Sequence, residues 1–385
     1  MINTKNINPF FNDNYVAIAV TSSNEYVPYL SVYLSSIKEQ SSKNFNYDVV
    51  VLEKSITDEN KQILKDFFEV SENLSLRFFN PEKLFINTNM PVTHSYLCKE
   101  SYFRLSAPLI FKHYTKLIFT DIDLIFNDDP SKLYNLDMKD SSILSVIEPV
   151  WSNWINIGWS ENNVNILDYT KNILKISDPE RYFNTGVMLM DISKLNSINA
   201  TEKMISRLST ENLYLFQDQD IINEVINNQI GVLPFEWNYE IFYPTSIDNA
   251  KKEIKDYCKI NSRKIIHWIG PLKPWIAPER DFTDLWWRLA AKTPYLTNMI
   301  HNLISYKTEN LSIELKNAYN SKLADLEDKY QLIQSECKIR IKYLKNQTYY
   351  YYKYYFYKIL NFLLFGKLKN KRNKYKNIIR IIRSI

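Results

Sequence analysis

Two aspartates one residue apart, Asp121 and Asp123, stand between the apolar runs Leu117-Ile118-Phe119 and Leu124-Ile125-Phe126. The flanks read as buried strand, so the carboxylates fall at a strand end. Two like charges this close repel, and keeping both ionised requires a cation or cationic side chains. A divalent ion that also holds a phosphorylated ligand meets that need, because hard cations favour carboxylate and phosphate oxygen. The other reading is a solvated turn with two N-capping acids, and the triplet alone does not separate the two.

Three further blocks follow in order. Tyr182-Phe183-Asn184-Thr185-Gly186-Val187 leads into the apolar Met188-Leu189-Met190. Gln217-Asp218-Gln219-Asp220 opens a helical pattern through Ile221, Ile222, Val225 and Ile226. His267-Trp268-Ile269-Gly270-Pro271-Leu272-Lys273-Pro274-Trp275 comes directly after the strand-like Lys264-Ile265-Ile266. Together with Tyr15 to Val20, the segment Tyr26 to Leu30 and Ser101-Tyr102-Phe103-Arg104-Leu105, these blocks resemble the retaining glycosyltransferases of family 8. The lipooligosaccharide galactosyltransferases and glycogenins typify that family, and the resemblance covers roughly residues 13–285.

The resemblance implies a GT-A-type nucleotide-sugar fold, a UDP-hexose donor and a saccharide acceptor. It makes Asp121, Asp123 and His267 ligands of a divalent metal. Imidazole beside carboxylates suits Mn2+, with Mg2+ a weaker substitute. Gly270, which lets backbone approach a diphosphate, and Lys273, a mobile charge for phosphate oxygens, fall on the phosphate side. Thr21, Ser23, Glu25 and Ile122 fall on the nucleotide side. Arg104, Asn184, Asp218 and Gln219 match positions that contact the donor sugar, with Gln219 facing the reacting carbon. A carboxamide is a poor nucleophile, so the resemblance implies same-face attack with retention, Asp218 being the alternative nucleophile. Two positions depart from the family pattern. Thr21-Ser22-Ser23-Asn24-Glu25 replaces an acidic pair after the first strand, and Glu148 replaces an acceptor-side aspartate.

The elements that must carry these residues alternate in the manner of a mainly parallel α/β sheet with covering helices. Strands are expected at Val16 to Val20, Val49 to Leu52, Leu74 to Phe79, Leu117 to Thr120 and Ile143 to Ile147. Helices are expected at Pro28 to Lys38 and from Thr57, an N-cap, to Phe68. Ligands on such sheets bind beyond the carboxyl ends of the strands, where Asp121 and Asp123 lie. After Asp128-Asp129-Pro130 the pattern reads as aromatic, asparagine-rich loops. Trp151-Ser152-Asn153-Trp154 suits either a sugar-facing surface or simple packing.

Glycine is scarce at 5 residues and no phosphate-binding glycine loop occurs, so a metal must hold any diphosphate. Cys98, Cys258 and Cys337 are odd in number and widely spaced, which predicts reduced thiols in a cytoplasmic protein. Met1 to Asn14 lacks the apolar stretch of a signal peptide, and no run of apolar residues is long enough to span a membrane. Residues 286–345 read as a helical extension. Its apolar steps of three and four from Leu311 to Leu344 would also serve a short coiled coil for self-association. The overall charge of +5 conceals a tail, residues 346–385, with seven lysines, three arginines and no acid, leaving the remainder acidic. Tyr349 to Phe356, Ile359 to Phe365 and the basic Lys367 to Lys376 describe a segment lying on an anionic membrane, at the inner face. Nucleic-acid binding and packing on the body are the weaker readings of the tail. Rivals to a transferase are a metal-dependent sugar-nucleotide hydrolase or nucleotidyltransferase, and a non-catalytic membrane adaptor.

Overall fold

The computed structural model describes residues 6–94, 98–208, 214–242, 244–324, 346–356 and 358, with side chains for these except 244 and 311–324. The chain forms two compact units, Met1–Ile300 and His301–Ile385.

The first unit is built on a seven-stranded sheet. Its strands are β1 (Tyr15–Thr21), β2 (Asn46–Leu52), β3 (Leu74–Phe79), β4 (Lys116–Thr120), β6 (Ile143–Ser145), β9 (Val187–Asp191) and β10 (Ile230–Val232). Their order is β10-β6-β9-β4-β1-β2-β3. All neighbours pair parallel except β9, which runs antiparallel between β4 and β6. A second sheet orders β11 (Tyr239–Glu240), β12 (Ile265–His267) and β5 (Leu124–Phe126), with β12 antiparallel to β5. A two-stranded hairpin, β7 (Ser160–Glu161) with β8 (Val164–Asn165), stands apart from both.

The strands of the parallel half are continuous apolar runs because both faces are covered: Val16 to Val20 and Val49 to Leu52 are fully buried. The helix Val27–Gln40 starts with Pro28 in its first turn, where the missing N–H costs nothing. It supports the strands on either side of the aspartate pair. The Tyr33 hydroxyl meets Thr120 Oγ1 at 2.6 Å, and Ser36 Oγ accepts the Phe126 N–H at 3.0 Å. Thr57 caps the helix Asp58–Phe68 as expected, accepting from the Asn60 N–H. Asp48 is fully buried on β2, satisfied by Arg77 Nη2 at 2.7 Å, the Tyr114 hydroxyl at 2.7 Å and the Phe10 N–H at 3.1 Å.

Two stretches differ from expectation. The fifth strand ends at Ser145, with only an isolated bridge from Ile147 to Phe183 beyond it. Trp151 to Trp154 lies in a helix, Pro149–Asn156, rather than a loop. Glu148 caps this helix and Pro149 opens it. Trp151 is buried, stacked on Tyr182 at 3.7 Å and donating to Thr170 Oγ1, so it packs the core and does not face a sugar. Trp154 stacks on Trp159 at 6.1 Å and on Phe216 at 5.6 Å.

The helix Leu296–Ala324 carries the chain from the first unit into the second. The predicted self-associating stretch continues beyond it to Leu344 and there lies outside the described residues, as do Cys337 and most of the basic tail. Residues 346–356 are helical, and Tyr349, Tyr350, Tyr351 and Tyr354 on them are exposed. Among the described residues no helix is long and apolar enough to cross a membrane.

Candidate active site

Asp121-Ile122-Asp123 is the seam between the two sheets. The Asp121 N–H donates to the Gly186 carbonyl at 2.8 Å, prolonging the β4–β9 ladder by one bond. Two residues on, the Asp123 carbonyl accepts from the Trp268 N–H at 3.1 Å, prolonging the β5–β12 ladder. The carboxylates are therefore fixed by backbone pairing from both sides. Ile122 is half-buried between them.

β12 delivers His267 to the same place. Its Nε2 lies 3.0 Å from Asp123 Oδ1 and 3.8 Å from Asp121 Oδ2. One donor atom from each of the three residues falls within 4.8 Å of the others. Gly186 is what lets the imidazole sit there, since a Cβ at that position would meet His267 Cε1 at 2.3 Å. The ring and the strand backbone are in direct contact, a reason for glycine that the sequence motif does not disclose.

The electrostatics of the cluster run toward cations. Asp123 is held well below the usual carboxylate range: burial opposes its charge, but Lys273 and His267 outweigh that. The Lys273 ammonium pairs with Asp123 Oδ2 and also donates to the Trp268 carbonyl at 2.9 Å. Asp123 Oδ1, by contrast, is buried with His267 Nε2 as its neighbour at 3.0 Å. Two carboxylates and an imidazole converging on one point are a donor set that fits a divalent metal ion. Gly270 adopts φ +72 with open space where a side chain would begin, so the loop before Lys273 presents bare backbone.

Arg104 lies beneath, 3% exposed, and ties the metal candidates to the third sequence block. Its guanidinium pairs with Asp121 Oδ1 and, through Nε at 2.8 Å, with Asp218 Oδ2, while Nη1 donates to the Thr185 carbonyl at 2.7 Å. Burial raises the Asp218 carboxyl, an effect that Arg104 opposes. Gln219 is half-buried at the start of the helix Gln217–Ile226, and its Oε1 accepts the Thr185 N–H at 3.0 Å. Asp220 points away from this group into the core. There it accepts from Tyr182 and Tyr169 hydroxyls at 2.6 Å each and from the Phe216 N–H at 2.7 Å.

Asn184 and Glu148 form the wall on the side of the Pro149–Asn156 helix. Asn184 Nδ2 donates to Glu148 Oε2 at 2.9 Å, while its Oδ1 accepts from the Gly186 N–H at 2.8 Å and from Asn238 at 2.9 Å. Glu148 Oε1 accepts the Val150 N–H at 3.2 Å. Glu240 is buried beside it, and both carboxyls are raised by burial, Glu240 also by the neighbouring Glu148. Asn238 and Glu240 come from a short turn and a two-residue strand without periodicity, so nothing in the sequence pattern marked them.

Thr21 ends β1, with Ser23 and Glu25 just after it, and Val20 pairs with Thr120, so this segment runs beside the aspartates. Thr21 is buried, Ser23 half-buried and Glu25 exposed. Asn24 is occupied elsewhere, its Oδ1 accepting from the Thr57 N–H and from Asn60 Nδ2. Tyr26 packs edge-on against Tyr29 and Trp275, and burial first, then Cys98 and Asp123, push its hydroxyl up to about 12.

The sequence model of glycosyl transferase family 8 matches residues 17–278, well over half of the chain. A putative glycosyltransferase of Haemophilus influenzae is 27% identical over 259 residues, covering 67% of this chain and 72% of its own length. The lipopolysaccharide 1,2-glucosyltransferase of Escherichia coli K12 is 27% identical over 265 residues, covering 65% and 70%. Among solved structures, the bifunctional glycosyltransferase WbbM superposes with a TM-score of 0.69 at 25% identity, over 78% of this chain and 53% of that one. The galactosyltransferase LgtC, solved with donor and acceptor sugar analogues, superposes with a TM-score of 0.58 at 20% identity, over 72% and 96%. The GT-A-like architecture is thus shared, and the chain belongs to glycosyl transferase family 8, with the activity of a hexosyltransferase.

Proposed function

We propose that this protein transfers galactose or glucose from a UDP-sugar, with retention, to a hydroxyl of a growing surface saccharide such as a lipopolysaccharide or lipooligosaccharide. The observation that carries the reading is the convergence of Asp121, Asp123 and His267, with Lys273 beside them and the bare Gly270 backbone leading to it. Asp121, Asp123 and His267 would hold the metal, for which the mixed oxygen and nitrogen donor set favours Mn2+ over Mg2+. When bound, such an ion supplies Lewis acidity to the departing diphosphate.

The chain's own groups account for the remainder. Lys273 stands close enough to leave Asp123 for a phosphate oxygen and so balance charge as the anomeric C–O bond breaks. Arg104 fixes Asp121 and Asp218 in one rigid unit, which orients the Asp218 carboxyl toward donor hydroxyls. Its ion pair makes Asp218 a poor nucleophile, favouring same-face attack over double displacement. In that route the acceptor oxygen bonds to the anomeric carbon from the side the diphosphate leaves, and its proton passes to the leaving phosphate oxygen. Gln219 lines the opposite face, Asn184 and Glu148 the sugar and acceptor side, and Thr21, Ser23, Glu25 and Ile122 the nucleotide side. The E. coli relative named for glucosyl transfer to lipopolysaccharide and LgtC, named for galactosyl transfer, support the donor class.

The basic tail, with the exposed tyrosines of residues 346–356, would bring the site to an anionic membrane surface where lipid-linked acceptors reside. The test is incubation with UDP-galactose or UDP-glucose, Mn2+ and a lipid-linked saccharide, reading products for wild type and Asp123→Ala. Glycosylated acceptor from the wild type alone supports the proposal. Free hexose or pyrophosphate as the main product points instead to a hydrolase or nucleotidyltransferase, and full activity in Asp123→Ala refutes the metal role.

A further inference from the structure

Around His267 runs a chain of hydrogen bonds in which every direction is determined. The Gly186 N–H can only donate, so the Asn184 atom 2.8 Å away is its carbonyl oxygen. That oxygen also faces Asn238 at 2.9 Å, and two oxygens cannot bond each other, so Asn238 presents its amide nitrogen there. Asn238 must then turn its own oxygen to His267, where Nδ1 lies 2.9 Å away. An amide oxygen accepts, so Nδ1 carries a hydrogen; in the neutral imidazole, the form that can ligate a cation, the lone pair then resides on Nε2. Nε2 is the nitrogen facing Asp123 and Asp121.

The other end is equally anchored. Asn184 Nδ2 donates to Glu148 Oε2, and Glu148 Oε1 is pinned by the Val150 N–H. Two backbone amides, on separate elements, thereby fix both side-chain amides between them. Asn238 is fully buried and Asn184 6% exposed, so water does not compete for these bonds. Metal-ligating histidines are oriented by such a partner on the far nitrogen, and losing it costs about 10–100-fold in metal affinity.

We propose that Asn238 is a positioning residue of the metal site: directed by Gly186 through Asn184, its oxygen holds His267 in the Nδ1–H form and aims Nε2 at the cation. This rests on reading Asp121, Asp123 and His267 as metal ligands. The experiment is titration of the full-length protein with Mn2+ alone, following loss of the free-ion EPR signal, for wild type, Asn238→Leu and Asn238→Asp, with thermal melting of each. Leucine keeps the branched skeleton, with bulkier methyl ends, and removes the acceptor; aspartate keeps the acceptor, and when protonated still donates to Asn184. Expected is a loss of about 10-fold or more for Asn238→Leu, with Asn238→Asp within about threefold of wild type or tighter. Leucine binding as tightly as wild type overturns the proposal, and so does an equal loss in both variants. If Asn238→Leu does not fold, Asn238→Asp decides alone: retained affinity supports the role and a tenfold loss refutes it. A wild type that takes up no Mn2+ defeats the metal reading itself, a result distinct from the others.

Discussion

Adding one methyl group at Gly186 should disable the site while leaving the fold standing. Its backbone is not in the left-handed region, so alanine is conformationally allowed and the effect is purely steric. The new Cβ would lie 2.3 Å from His267 Cε1 and 2.9 Å from both His267 Nδ1 and Asn184 Oδ1. Ordinary contact begins at 3.4 Å, so the imidazole must retreat by roughly 1 Å. A misplacement of about 1 Å costs on the order of 100-fold in rate, or about 2.7 kcal/mol of transition-state stabilisation. Overpacking adds a fold penalty of about 1–3 kcal/mol. Gly231→Ala is the control, because its Cβ would clash equally, 2.3 Å from Ser141 Oγ, but on the edge strand β10 away from His267. Urea unfolding, Mn2+ binding and transfer would be measured for both. The expected pattern is similar loss of stability but loss of Mn2+ affinity and transfer only in Gly186→Ala. If Gly186→Ala binds Mn2+ and turns over like the control, the argument that His267 needs this contact is wrong.

Arg104→Ala leaves the buried Asp218 and the half-buried Asp121 without their shared cation and should destabilise the fold by about 3–5 kcal/mol, read by urea unfolding; a change under 1 kcal/mol would contradict the ion-pair account. Asp220 is raised to about 6 by burial, against which the two tyrosine hydroxyls act. A carboxyl raised on folding favours the native state while protonated, so its ionisation erodes stability as pH climbs from about 4 to about 6. Asp220→Asn lacks this term, and its stability relative to wild type should therefore improve across that window by up to about 3 kcal/mol; a pH-independent difference in unfolding midpoints would count against it. Deleting residues 346–385 should release the protein from anionic vesicles in a sedimentation assay yet preserve transfer to a soluble acceptor. Continued sedimentation would rule out the tail as the anchor.

Much of this architecture is legible from local pattern. β3 spans Leu74–Phe79 and the capped helix Asp58–Phe68 follows Thr57, both as expected, because strand runs and caps are decided by neighbours in sequence. Asp121, Asp123 and His267 were legible because each is attached to an apolar strand whose end it marks. What escaped depends on pairs distant in the chain. Asn238 matters through residues 29 and 54 positions away, and no motif announces it. Gly186 resembles a turn glycine until the β4–β9 ladder brings His267 against it. Trp151 reads as loop in the sequence because tryptophan and asparagine lack a helical stripe, while the capping there comes from Glu148, an uncommon N-cap, with Pro149. The commitment of Arg104 to two carboxylates is likewise a tertiary fact.

The bond from Asp121 to Gly186 and the bond from Trp268 to Asp123 belong to different sheets, and only one residue separates them along the chain. Any slippage of the small sheet against the large one would carry Asp123, His267 and Lys273 together and leave Asp121 behind with Arg104. A cation shared across that line would act as a rivet, and its retention becomes a gauge of how well the two layers are registered. Substitutions at the other pairs of the β5–β12 ladder, Ile266 with Ile125 and Ile265 with Phe126, would then surface first as leaking metal and only later as unfolding.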